Sequence, residues 1–139
     1  MISLPNFSPA EIKQGLAPFF QDPGLQLVLL FGSRVSGKTH PKSDIDIGVL
    51  FDAPVNLVEL TTRIIGLLHT DQVDVVDFRR ASPLLNFAAA RHGLLLYERS
   101  PSLFTQFYSL SFRRYVDTQK LRDAQKRSLQ NFLREKGLS

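Results

Sequence analysis

The sequence predicts an α/β (α+β) fold: a small mixed β-sheet of about four strands covered by helices, with a long helix at the C-terminus. Two observations carry that prediction. Helix-start signals stand at Ser8-Pro9, Asn56, Ser82-Pro83 and Ser100-Pro101, where a capping oxygen or a proline in the first turn suits a helix N-terminus. Between them lie apolar runs too short for helices and rich in Val, Ile and Phe, as strands are.

Each element follows from local chemistry. Ser8-Pro9-Ala10-Glu11 combines a cap, Pro at the first helical position and Glu at the third, so a helix starts there. It carries Ile12, Leu16 and Phe19 at one-turn spacing and ends at Pro23-Gly24. Leu25 to Phe31 is a continuous apolar run, as in a strand buried on both faces. Ile45, Ile47, Val49 and Phe51 alternate with Asp46 and Gly48, giving the period of two of a second strand. Asn56 and Glu59 open a second helix, with Leu57, Leu60, Ile64, Leu67 and Leu68 as its buried stripe. Val73, Val75 and Phe78 mark a third strand, and Ser82-Pro83 opens a helix that stops at His92-Gly93. Leu94 to Tyr97 make a fourth strand, and Ser100-Pro101 opens the last helix. The first two strands have no room for a crossover helix and pair antiparallel, whereas the second and third are joined through a helix and can pair parallel.

The chain has 139 residues, 43% apolar and 22% charged, with no cysteine. That length supports one compact core, read as a domain over 1–99 and a C-terminal helical extension over 100–139 packed on it. Without cysteine there is neither a disulfide framework nor a thiolate metal site. The apolar runs are too short to span a membrane and no secretory signal is evident, so a cytoplasmic location is expected. The formal charge of +4 is uneven. Eight Lys/Arg face three Asp/Glu from Arg113 to Lys136, a balance of +5, while the remainder is near neutral. Such a tail suits an acidic protein or a nucleic acid, or is a solvated helix face.

The chemistry is concentrated in residues 29–51. Gly32 to Thr39 fits the phosphate-loop pattern G-x-x-x-x-G-K-[ST] letter for letter. That loop works by feeding a helix whose N-terminus faces the anion, but Pro41 and the strand from Ile45 leave no place for one. A second pattern survives: Gly32-Ser33, ten residues, then Asp44-Ile45-Asp46. Residues i and i+2 of a strand share a face, about 6.5–7 Å apart. Two carboxylates there repel unless a cation lies between them, and magnesium, which shares itself with substrate phosphates, suits the place. Gly32 lets a phosphate approach the backbone, and Ser33, Arg34, Lys38 and Lys42 add donors and positive charge. Strand alternation favours Asp74 over Asp77 as a third carboxylate, because Val73 and Val75 share the face of Asp77.

With these residues the sequence resembles the minimal nucleotidyltransferases of the DNA polymerase β superfamily, and most of all the MntA-type antitoxins paired with HEPN-domain ribonuclease toxins. The resemblance covers about residues 25–98. It implies a nucleotidyltransferase fold and a protein adenylyltransferase that moves AMP from ATP to a hydroxyl, a tyrosine of the toxin, with release of pyrophosphate. Carried over by position, it implies that Gly32 and Ser33 hold the triphosphate and that Asp44 and Asp46 bind magnesium, in two ions. Asp74 would complete the metal site and help deprotonate the acceptor, and Arg34 matches a frequent basic residue after the Gly-Ser pair. It also implies a hetero-oligomer with the toxin. Two other functions fit the residues: an antitoxin that neutralises by binding alone, and a nucleotidyltransferase acting on RNA through the basic tail.

The remaining polar residues read as structural. His40 is a loop surface residue, while His69 and His92 belong to helix C-termini, where partial positive charge is favourable. Phe104, Phe107, Tyr108, Phe112 and Tyr115, spaced three and four apart, read as packing of the last helix onto the sheet layer. Beyond Leu121 apolar residues are too sparse for a deep core, which leaves that segment to engage a partner.

Overall fold

The structure is a computed structural model that describes residues 8–32 and 45–137. Its elements run α1 (Pro9–Gly15), a single 3-10 turn (Phe19–Gln21), β1 (Leu25–Phe31), β2 (Ile45–Phe51), α2 (Leu57–Leu68), β3 (Val73–Asp77), α3 (Pro83–His92), β4 (Leu94–Glu98) and α4 (Leu103–Glu135). The sheet order is β3-β2-β1-β4. As the connections require, β1 and β2 pair antiparallel and β2 and β3 pair parallel. β4 joins the free side of β1, also antiparallel.

Caps predicted from sequence form as hydrogen bonds. The Glu11 amide donates to the Ser8 hydroxyl at 3.2 Å while the Ser8 amide donates back to the Glu11 carboxylate at 3.3 Å, closing a capping box. Asn56 and Ser82 accept from Glu59 N and Leu85 N at 3.1 and 3.2 Å. The sheet separates two apolar layers. On one face Ile45, Ile47, Val49 and Val75 pack with Ile12, Leu16 and Phe19 and with Leu60, Ile64 and Leu68 of α2. On the other, Leu27 and Leu29 pack with Phe78, Ala89 and Ala90 of α3 and Phe107 of α4. Helices thus cover both faces, and β3 and β4 form the edges.

Three boundaries differ from the sequence reading. The first helix ends at Gly15 and the chain re-forms as the 3-10 turn, rather than running on to Pro23. Pro18 has no N–H to continue the ladder, yet Leu16 and Phe19 are still fully buried. Phe78 lies beyond the third strand and turns its ring onto Gly48 of β2, where a Cβ would occupy the same space. The last helix starts at Leu103, not at the Ser100-Pro101 pair. Ser102 takes a left-handed conformation (φ 78°), and the Phe104 amide donates instead to the Glu98 carboxylate at 3.0 Å. Of the aromatic group on α4, Phe107 reaches the sheet layer through Phe78, with centroids 4.7 Å apart. Tyr108, Phe112 and Tyr115 pack on Phe87 of α3 at 6.2, 5.4 and 4.9 Å, so three of the five serve helix pairing rather than the sheet.

Candidate active site

The site is built where β1 ends and β2 and β3 begin. Phe31 is the register partner of Asp46 across the antiparallel pair, so the next residue, Gly32, turns beside that aspartate. Gly32 has φ +82°, a conformation that L side chains rarely adopt. A Cβ added there would overlap the Asp46 carboxylate. Only a glycine leaves room for backbone and carboxylate to share this corner.

The parallel register brings the second carboxylate in. Asp46 pairs with Asp74, Ile45 with Val73 and Ile47 with Val75. Register partners in neighbouring strands point to the same face, so Asp46 and Asp74 stand side by side, opposite the apolar layer of Ile45, Ile47 and Val75. Asp46 is half-buried and Asp74 exposed on the edge strand, where it also borders a shallow groove against Leu57 and Thr61 of α2. Among the described residues, no cluster of three or more His, Cys, Asp or Glu forms a metal cage. The donor set present, two carboxylates on one face against a glycine turn, nevertheless fits a hard divalent cation such as magnesium.

Asp77 has a different environment. It pairs with Val49, is only 5% exposed, and accepts the Arg79 amide on its carboxylate at 3.0 Å. Its own carbonyl accepts from Arg80 and Ala81 N, both at 3.0 Å. This aspartate shapes the turn into α3 and lies on the opposite face from Asp46.

Of the residues singled out from sequence, the structure brings Gly32, Asp46 and Asp74 together. Ser33, Arg34, Lys38, His40, Lys42 and Asp44 lie outside the described residues. Two features escaped the sequence reading. The Phe78 ring fills the space over Gly48, two residues from Asp46 on the same face; a lone glycine in an alternating strand was the available signal. Arg91 and His92 end α3 beside Gly93, whose Cβ position lies 3.3 Å from Leu30 O near the end of β1. That places the end of α3 close to the end of β1, a proximity that only the β1–β4 pairing reveals.

The family model described as "Polymerase beta, Nucleotidyltransferase" matches residues 14–102, the span that contains the whole sheet and this corner. The chain belongs to that family. It is a nucleotidyltransferase. It is 27% identical over 142 residues to the protein adenylyltransferase MntA of Aphanizomenon flos-aquae (strain 2012/KM1/D3), covering 93% of this chain and 95% of the relative. Among solved structures, it is similar to a chain of a toxin-antitoxin complex with AMP-PNP, with a TM-score of 0.73 and 30% identity over 89% of this chain and 99% of that one. It is also similar to a chain of a complex between the tri-AMPylated Shewanella oneidensis HEPN toxin and an MNT antitoxin. There the TM-score is 0.69 and the identity 27%, over 88% of this nucleotidyltransferase and 98% of the other chain. No helix among the described residues is long and apolar enough to cross a membrane.

Proposed function

We propose that this nucleotidyltransferase is an antitoxin that transfers AMP from ATP to a tyrosine hydroxyl of a partner HEPN-domain toxin, forming a hetero-oligomer with it. The observation that carries the reading is the shared face of Asp46 and Asp74 with Gly32 turned against Asp46. The similarity to MntA and to toxin-antitoxin chains seen with AMP-PNP or with an AMPylated toxin supports it.

In the proposed reaction the acceptor oxygen attacks the α-phosphorus of ATP. A new P–O bond forms as the bond to the β-phosphate breaks, and pyrophosphate leaves. Gly32 and Ser33 hold the triphosphate, with Arg34 and Lys42 supplying positive charge around it. Asp44 and Asp46 are the metal ligands, and Asp74 completes the set and takes the acceptor proton. When bound, two magnesium ions supply positive charge at the acceptor oxygen and at the leaving pyrophosphate. The protein contributes position and electrostatics, which carry most of phosphoryl-transfer catalysis. The domain over 1–99 holds this machinery and the helical extension over 100–139 packs on it.

The test is transfer of label from α-labelled ATP to the partner HEPN-domain toxin. The wild type labels it, and the Asp44→Asn/Asp46→Asn double variant does not. Unchanged labelling by the double variant rejects the site. A binding-only antitoxin is favoured by the exposed basic half of α4, and it predicts full neutralisation by that same variant.

A further inference from the structure

The second half of α4 poses a question that the transfer chemistry leaves unanswered. Every residue from Gln119 to Phe132 is exposed, a stretch of about 20 Å at the helical rise. It projects beyond the part of α4 that packs on α3 through Tyr108, Phe112 and Tyr115. It is also not uniformly polar. Leu110, Leu121 and Phe132 are 40%, 57% and 52% exposed and recur every eleven residues, three helical turns, so they lie on one strip. Leu129 stands close beside the strip and is also exposed.

The strip begins at a built cleft. Between α3, α4 and the end of β3 is a cavity of 390 Å³ lined by Phe78, Arg79, Asn86, Leu110, Ser111 and Arg114, among others. Asn86 is 95% buried, its Nδ2 donating to Phe78 O at 3.0 Å, while its Oδ1 is buried with no hydrogen-bond partner. A buried acceptor of this kind calls for a donor. Arg79 and Arg114 add two cations to the same cleft. Farther out, Lys136 Nζ lies 5.8 Å from the Phe132 ring centroid and Arg122 lies 5.6 Å from that of Tyr115. Asp117 and Glu135 border the strip on its other side.

We propose that this strip, anchored at the Arg79–Arg114 cleft, is the docking surface for an amphipathic, acidic helix of the toxin. The proposal rests on the antitoxin reading above. An apolar row amid a +5 segment selects its occupant. Two copies of this chain paired along the strip would bring two such charges together, whereas an acidic partner neutralises them. A phosphate backbone satisfies the charge but leaves Leu121 and Phe132 in water. A protein helix with apolar residues along one face and carboxylates beside them covers both.

Binding of the full-length chain to the toxin is measured by calorimetry without ATP, so that transfer plays no part. With wild type binding as the control, Leu121→Glu/Phe132→Glu weakens the toxin complex about 30-fold or more, the scale of interface hot spots, and leaves helicity by circular dichroism unchanged. Arg79→Glu/Arg114→Glu weakens it about 10-fold or more, and toxin release becomes faster. Toxin affinity equal to wild type in both variants overturns the proposal. So does a wild-type dimer that the Leu121→Glu/Phe132→Glu variant dissociates, or an RNA complex that the variant loses while keeping the toxin. If the docking variants bind normally while Asp46→Asn abolishes transfer, the docking surface is wrong and the catalytic reading stands. If wild type binds no toxin, both readings fail together.

Discussion

Asp74 and Asp77 stand three residues apart on β3, one near each end of a five-residue strand. Asp74 is exposed beside Asp46, on the face where Gly32 crowds that carboxylate. Asp77 is buried on the other face, tied to the Arg79 amide, at the start of the turn into α3. The same side chain therefore faces the candidate site at one end and serves architecture at the other. Strand parity and register decide which, because an odd separation places the two residues on opposite faces.

The largest effect that sharpens this contrast is expected at the architectural end. Phe78 is buried, packs on Phe107 and fills the space over Gly48. Phe78→Ala should cost about 3–5 kcal/mol of stability, as deletion of a core aromatic does; urea unfolding measures it. At the chemical end, Asp46→Asn should slow AMP transfer about 10²–10³-fold, the usual scale for losing an electrostatic catalytic contact. Its thermal midpoint should stay near that of wild type, as followed by scanning fluorimetry. A stability loss as large as that of Phe78→Ala would erase the distinction between the ends.

Gly32→Ala is intermediate, because it combines backbone strain at φ +82° with a clash against Asp46. It should cost about 1–3 kcal/mol and impair transfer at the same time, seen by parallel unfolding and labelling assays. The smallest effect is expected from Asp77→Ala, which removes one turn-forming hydrogen bond worth about 1 kcal/mol. Denaturant titration should show that loss while the transfer rate is retained.

The sequence carried much of this picture where local chemistry is decisive. The Ser8-Glu11 box, the Asn56 and Ser82 caps and the alternation of β2 all correspond to bonds and burial in the structure. The choice of Asp74 for the face of Asp46 follows from parity, and the parallel register agrees with it. What escaped depends on long-range packing. Nothing near Ser100 indicates that Glu98 will take the capping role for α4. Nor does Phe78, apolar and next to a strand, reveal from sequence that it leaves the strand to cover Gly48. Pro18 did carry a visible signal: a proline inside an apolar helical pattern marks a break, and the regular spacing of Leu16 and Phe19 masked it. The Arg79–Arg114 cleft joins residues thirty-five positions apart and exists only once α3 packs on α4.

The most direct measurement compares Asp74→Asn with Asp77→Asn for label transfer from ATP to the toxin, each variant first shown to be folded. The account predicts that Asp74→Asn transfers about 100-fold more slowly with an unchanged thermal midpoint, and that Asp77→Asn transfers at the wild-type rate with a lowered midpoint. Wild-type transfer by Asp74→Asn, or an equal loss in both folded variants, would contradict it.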